Sequence, residues 1–179
     1  MKKNTKNTVH DLLQAYRDQH GISIREHSFA APILMVLLRH VGCSFCRKAL
    51  HELSASMKHI NACGYRVGLV HMDSDADMRD QLSLYGLEKL PRFHDAERKL
   101  YQALGVPRAP LMSVFRRDAW ARGVEAKRKY GAGLPKSDPL QLPGAFLIDQ
   151  GIVIAGEPTM SPYETPDFLA LLIRSEAAA

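Results

Sequence analysis

APILMVLLRHVGCSFCRKAL, residues 31–50, changes its period partway along. Its first half is a continuous apolar run behind a proline, short and containing Ile and Val. That reads as a strand over 31–39 buried on both faces, as in a parallel sheet. From Ser44 onward the apolar positions fall at Phe45, Ala49, Leu53, Met57 and Ile60, one stripe of an α-helix, with Gly64 as its stop. Cys43 and Cys46 stand at the junction, where a buried strand hands over to a helix.

That placement has chemical consequences. The first backbone N–H groups of a helix lack partners and its dipole is positive there, so a thiolate at Cys43 is favoured. Such surroundings bring a thiol from about 8.5 into roughly the 3.5–7.5 range. The thiolate would attack a disulfide or a peroxide. Cys46, three positions on, lies on the same side of the helix and can return to resolve the intermediate. Arg47 and Lys48 add positive charge, with no carboxylate close in sequence. Two other readings stand beside the redox one. A zinc site ordinarily needs four ligands, and here one cysteine pair is accompanied by scattered histidines, His40, His51, His59 and His71. Alternatively, both thiols are small buried residues. His40 has two readings of equal standing: a proton relay that lowers the thiol pKa when charged, or a hydrogen-bonded residue at the strand end. Cys63, near the helix end, reads as packing or an incidental thiol.

Outward from this junction the chain alternates. TVHDLLQAYRDQHG predicts a short N-terminal helix stopped by Gly21. YRVGLVHMD, 65–73, is a second strand, SDADMRDQLSLYG a helix opened by a Ser/Asp cap, PRFHD, 91–95, a short strand, and AERKLYQALGV a short helix closing at Gly105. PLMSVFRRDAWARGVEAKRKYG is mostly helical, AGLPKSDPLQLPG is a Pro-rich loop, and AFLIDQGIVIAG, 145–156, is two strands turning at Gln150-Gly151. ETPDFLALLIR is a closing helix. Strands alternating with helices and ending in a hairpin predict an α/β fold with a mixed central sheet.

At 179 residues the chain is about one domain, large enough for a core without staples. Three cysteines make a structural disulfide framework implausible. The N-terminus is basic but is followed by no apolar signal segment, and the longest apolar run, 30–38, is too short to cross a bilayer; a cytoplasmic protein with reduced thiols is expected. The net charge is +5, partly from Arg116, Arg117, Arg122, Lys127, Arg128 and Lys129. That segment reads as the solvated face of a helix, with Trp120 and Tyr130 packing; no base-stacking aromatics alternate with the charges, so neither nucleic acid nor membrane is an expected partner. Asp73, Asp75, Asp77 and Asp80 lack the Gly and distal Glu of a calcium loop and read as a helix start.

Taken together, LLRHVGCSFCRKAL, HDAERKLYQALGV (94–106) and LQLPGAFLIDQGIVIAG (140–156) resemble the thioredoxin-fold, peroxiredoxin-like proteins of the AhpC/TSA group, in particular its selenoprotein L-like branch. There a redox pair follows an R-H-x-G turn, and the later segments match in order over roughly 31–173. The resemblance implies an N-terminal helical extension (1–30), a thioredoxin-like redox domain (31–173) with a peroxiredoxin-like insertion, and a tail (174–179). It implies a Cys43/Cys46 dithiol that exchanges with protein disulfides, with Leu142 and Pro143 shaping the substrate groove, Pro143 in the cis-proline position, and Arg39 and His40 as electrostatic support. It implies no bound cofactor or metal, since electrons come from a thioredoxin- or glutathione-type donor.

The departures bear on function. Val36 and His40 stand where peroxiredoxins keep the Pro and Thr that precede their peroxidatic cysteine, and Pro143 stands where they keep a peroxide-orienting arginine. Compared with thioredoxins, Gly42 replaces the Trp before the pair and Ser44-Phe45 replaces Gly-Pro. The expected activity is thiol–disulfide exchange. The alternatives are a thiol peroxidase using the same cysteines and a non-enzymatic redox-sensing module whose partner surface is the basic helix near 116–129.

Overall fold

The run behind Pro32 forms β1 (Ile33–Leu37), and its side chains alternate between two cores. The computed structural model describes residues 8–110 and 117–176, and for 117–122 and Glu176 the backbone alone. Leu34 and Val36 pack with α3 (Ser44–Ala62), α4 (Asp75–Ser83) and α7 (Phe168–Glu176). Ile33, Met35 and Leu37 pack with α1 (Val9–Ala15), Ile24 of α2 (Ile24–Ala30) and α5 (Lys99–Ala103). A strand with no polar face is what an apolar run without alternation encodes.

The sheet completes this frame. β2 (Arg66–His71) and β3 (Arg92–His94) run parallel to β1 on one side; on the other, β4 (Gly144–Asp149) is antiparallel to β1 and β5 (Ile152–Pro158) antiparallel to β4, giving the order β3-β2-β1-β4-β5. This is the mixed α/β sheet that the alternation predicts. The β4–β5 turn also falls where expected: Gln150 and Gly151 take φ of 48° and 76°, the left-handed pair that a two-residue hairpin needs.

Local signals set the helix starts. Thr8 and Ser23 each form a capping box, with Asp11 and Glu26, and Ser74 caps α4. The second box marks the main departure from the sequence reading. The N-terminal helix stops at Ala15 rather than running to Gly21, and a second helix, α2, starts after Ser23. Buried Asp18 and His27, joined at 2.8 Å, tie the two helices together.

α6 (Arg117–Tyr130) lies apart from both cores, against the start of α3. Ala126 sits among Cys43, Phe45 and Cys46, and the Tyr130 and His51 rings lie 5.8 Å apart. Lys127, Arg128 and Lys129 are exposed, as a solvated face predicts. Residues 111–116, read as helical, and Arg116 among them lie outside the described residues, as do the side chains of Arg117, Trp120 and Arg122.

Candidate active site

β1 ends at Leu37, and the chain then turns sharply: the Cys43 N–H donates to the His40 carbonyl at 3.0 Å, and the Arg47 N–H donates to the Cys43 carbonyl at 3.1 Å, opening α3. Cys43 is thus the N-cap of α3, without a side-chain capping bond. The backbone N–H groups of Phe45 and Cys46 still favour the charged form of its sulfur. The sequence reading placed Cys43 at the mouth of the helix, and the structure puts it there.

Arg39, four residues earlier, is the centre of the site. Its Nη1 donates to Cys43 Sγ at 3.2 Å and to the Pro162 carbonyl at 3.0 Å, its Nε donates to the Gln141 carbonyl at 2.9 Å, and its Nη2 donates to the Pro139 carbonyl. The guanidinium is buried, at 8% exposure, and among the described residues no carboxylate pairs with it. A desolvated cation held by neutral carbonyls and one sulfur favours the charged form of that sulfur. A hydrogen bond from the Cys46 thiol is the main influence that lowers Cys43; the Arg39 charge and the two helix N–H groups add to it, and together they outweigh burial and bring the thiol down to about 6. Cys46 moves the other way. Burial and the neighbouring Cys43 push it well above its usual range, although the Arg39 backbone N–H reaches its sulfur at 3.2 Å. The pair is therefore polarised: one thiolate, and one thiol donating to it.

Neither sulfur is open to solvent. Cys43 is 6% and Cys46 5% exposed, beneath Phe45, Ala126, Tyr130 and Tyr163. Phe45 and Tyr163 meet edge to face at 5.6 Å. The cover comes from α6 and from the loop after β5, so the redox pair is closed by parts of the chain distant in sequence.

Two expectations are corrected. His40 cannot serve as a positive neighbour at neutral pH: burial, then the Arg39 charge, bring its pKa down to about 4, and its Nδ1 is buried without a hydrogen-bond partner. Pro143 is not a cis-proline, since no cis peptide occurs among the described residues. Leu142 and Pro143 do lie opposite the redox turn, because Leu37 pairs with Gly144 across β1 and β4. However, the Pro143 carbonyl is taken by the backbone N–H and hydroxyl of Thr159, at 3.1 and 3.0 Å, so it is not free to hold an extended substrate backbone.

Two residues of the site gave no functional signal in the sequence. Gly42 is where another segment crosses the redox turn: the Gly133 N–H donates to the Gly42 carbonyl at 2.9 Å, and a Cβ on Gly42 would lie 2.4 Å from the Leu134 carbonyl oxygen. Asp73, read as part of a helix start, is instead 2% exposed and accepts the Val41 N–H at 2.9 Å, so the segment just after β2 props the redox turn from behind. Burial raises its pKa. The rest of that acidic cluster is structural: Asp75 grips Arg92 at 2.8 and 3.0 Å, and Asp77 donates its backbone N–H to the capping Ser74 hydroxyl and pairs with Lys136. Cys63 is the C-cap of α3, half-buried and remote from the pair in sequence.

The AhpC/TSA family model matches residues 6–156. No curated protein sequence matches the chain. Among solved structures, a cysteine-to-serine variant of peroxiredoxin 6 from Arenicola marina superposes with TM-score 0.63 at 15% identity, over 91% of this chain and 69% of that one. A variant of peroxiredoxin Q from Xanthomonas campestris gives 0.61 at 15% over 92% and 90%, and peroxidoxin BcpB from Mycobacterium tuberculosis gives 0.60 at 15% over 92% of each. At such identity the likeness establishes the thioredoxin-like fold of those neighbours.

Proposed function

The chain belongs to the AhpC/TSA family, and on that premise we propose that it is a thiol peroxidase whose nucleophile is Cys43 and whose resolving thiol is Cys46. Family membership makes it a thiol-dependent oxidoreductase; the finer question is which oxidant it meets. One observation favours a peroxide: the Arg39 guanidinium rests on Cys43 Sγ at 3.2 Å, and both sulfurs are almost closed off. A protein disulfide has to bring its own sulfur into line with Cys43 across a broad interface, whereas a peroxide needs only room for two oxygens.

In this reading the Cys43 thiolate attacks one oxygen of R–O–O–H, and the O–O bond breaks. Cys43 becomes a sulfenic acid, and the leaving RO⁻ takes a proton to depart as an alcohol, or as water when R is hydrogen. Arg39 stabilises the charge as it passes from sulfur to oxygen, the part that the family assigns to an arginine where this chain has Pro143. Cys46 then displaces hydroxide from the Cys43 sulfur, water leaves, and a Cys43–Cys46 disulfide remains. Two donor thiols return two electrons and two protons.

Rapid mixing of the reduced protein with hydrogen peroxide or cumene hydroperoxide tests this. The expected result is fast loss of two thiols and, by mass spectrometry, a bond between Cys43 and Cys46 with Cys63 free. Slow oxidation by every peroxide, combined with brisk reduction of a protein disulfide, would overturn it in favour of disulfide exchange.

A further inference from the structure

The cover over the redox pair has an outer side. Between α3 and α6 lies a cleft of about 270 Å³ whose walls are Phe45, Ala126, Tyr130 and Tyr163, the residues that close over Cys43 and Cys46. Its rim carries Lys48, Lys129 and Glu125. The cleft is near the lower limit of small-molecule sites, roughly 300 Å³, the size that suits a small donor. Resting on the peroxidase reading for its place in the cycle, we infer that this cleft receives the reductant, and that the reductant is a small peptide-like thiol carrying carboxylates and an ammonium group.

The chemistry of the rim supports this class. Lys48 is held by Glu52 at 3.4 Å and is about a third exposed, so one of its three donors is engaged and the others face outward. Lys129 lies over the Tyr130 ring, its Nζ 5.3 Å from the centroid, which fixes its charge at the cleft. Two cations and one acid on an aromatic floor match a zwitterion with two carboxylates and one ammonium. The exposed Lys127 and Arg128 add a positive field that draws in anions. A peroxide is small enough to need no such site, whereas a thiol donor has a body to be held.

The step balances within the proposed cycle. The first donor thiolate attacks one sulfur of the Cys43–Cys46 disulfide, forming a mixed disulfide and releasing the other cysteine as a thiolate. A second donor thiol attacks the donor sulfur of that mixed disulfide. The products are the donor disulfide and the reduced pair, with the two donor protons passed to the protein thiols. To reach the sulfur, the donor parts the cover where Tyr163, from the loop after β5, meets Phe45.

The test measures second-order rate constants for reduction of the oxidised protein by reduced glutathione, by its diethyl ester and by a thioredoxin. Oxidation by diamide as well as by peroxide keeps the outcome independent of the peroxidase reading. If peroxide fails to oxidise the pair but the diamide-oxidised protein discriminates among donors, the peroxidase reading falls and the cleft stands. The expected result is that glutathione outruns its ester by about tenfold, the effect of one to two screened charge contacts. In Lys48→Glu/Lys129→Glu that ratio falls to near one or inverts. A ratio near one in the native protein, a ratio untouched by the double reversal, or a thioredoxin faster than glutathione by orders of magnitude would overturn the inference.

Discussion

Arg39 makes a cysteine pair into an asymmetric one, and its effect can be measured. The Cys43 thiolate titrates near pH 6, so the oxidation rate constant rises as pH climbs through about 6 and is flat above it. The same depressed pKa links to stability: the thiolate contribution is complete above the unfolded thiol value, about 8.5, and is lost as pH falls through about 6. Replacing Arg39 with Met moves the thiolate titration, followed by its ultraviolet absorbance, towards that unfolded value. It slows peroxide attack by about 10²-fold, the cost of one lost donor to a developing anion. Arg39→Lys restores part of the pKa but not the contacts to the Pro139, Gln141 and Pro162 carbonyls, because a point charge cannot span them. At this scale the sequence was informative about the sulfurs and about Arg39 by proximity. It left His40 open between two readings, because the sign of a histidine's effect depends on burial and on the cation beside it, and neither is visible in a string of letters.

The elements around the turn leave it little freedom, which gives a sharp expectation at Gly42. The turn is held from behind by Asp73 on the β2 side, and from the front by the crossing of residues 133 and 134. Gly42→Ala sets a methyl 2.4 Å from one carbonyl oxygen and 2.6 Å from another, both backbone, so the crossing segment has to shift. A loss of about 1–3 kcal/mol in chemical denaturation is expected, together with a rise in the Cys43 titration as the Arg39 contacts to residues 139 and 141 loosen. An unchanged denaturation midpoint would show that the crossing is dispensable. The elements themselves were legible, down to the hairpin turn, because period, caps and glycines are local signals. α2 was hidden although Ser23 and Glu26 carry its capping box, since the face it buries is Ile24, His27 and Ser28, which is no apolar stripe. The crossing at Gly42 was not legible at all. It joins residues about ninety positions apart, and a glycine in a turn is ordinarily explained by the turn.

For the whole molecule, the two redox states differ in stability. The reduced form contains a buried cation paired with a thiolate; the disulfide removes the anion and leaves Arg39 with carbonyls alone. In return the disulfide closes only a very short loop, which restrains the unfolded chain little. The oxidised protein should therefore melt a few degrees below the reduced one, the reverse of what a structural disulfide does. Calorimetry on both forms decides it, and equal or inverted melting temperatures would show that Arg39 finds another counter-ion. The fold class was legible from the alternation of segments alone. The cover over the pair was not, because α6 reaches the cysteines from some eighty residues away and packs on a helix rather than on the sheet.

The backbone crossing at Gly42 also limits how this protein can be redesigned. Thioredoxins carry an aromatic residue at the corresponding place, and here no such residue can be installed without dismantling the strap that lies over it. Tuning the redox potential must instead go through positions 44 and 45, between the sulfurs, where Ser44 is half-buried and Phe45 abuts Tyr163. A library randomised at those two sites should yield folded variants with a spread of potentials, whereas one randomised at 42 should return glycine.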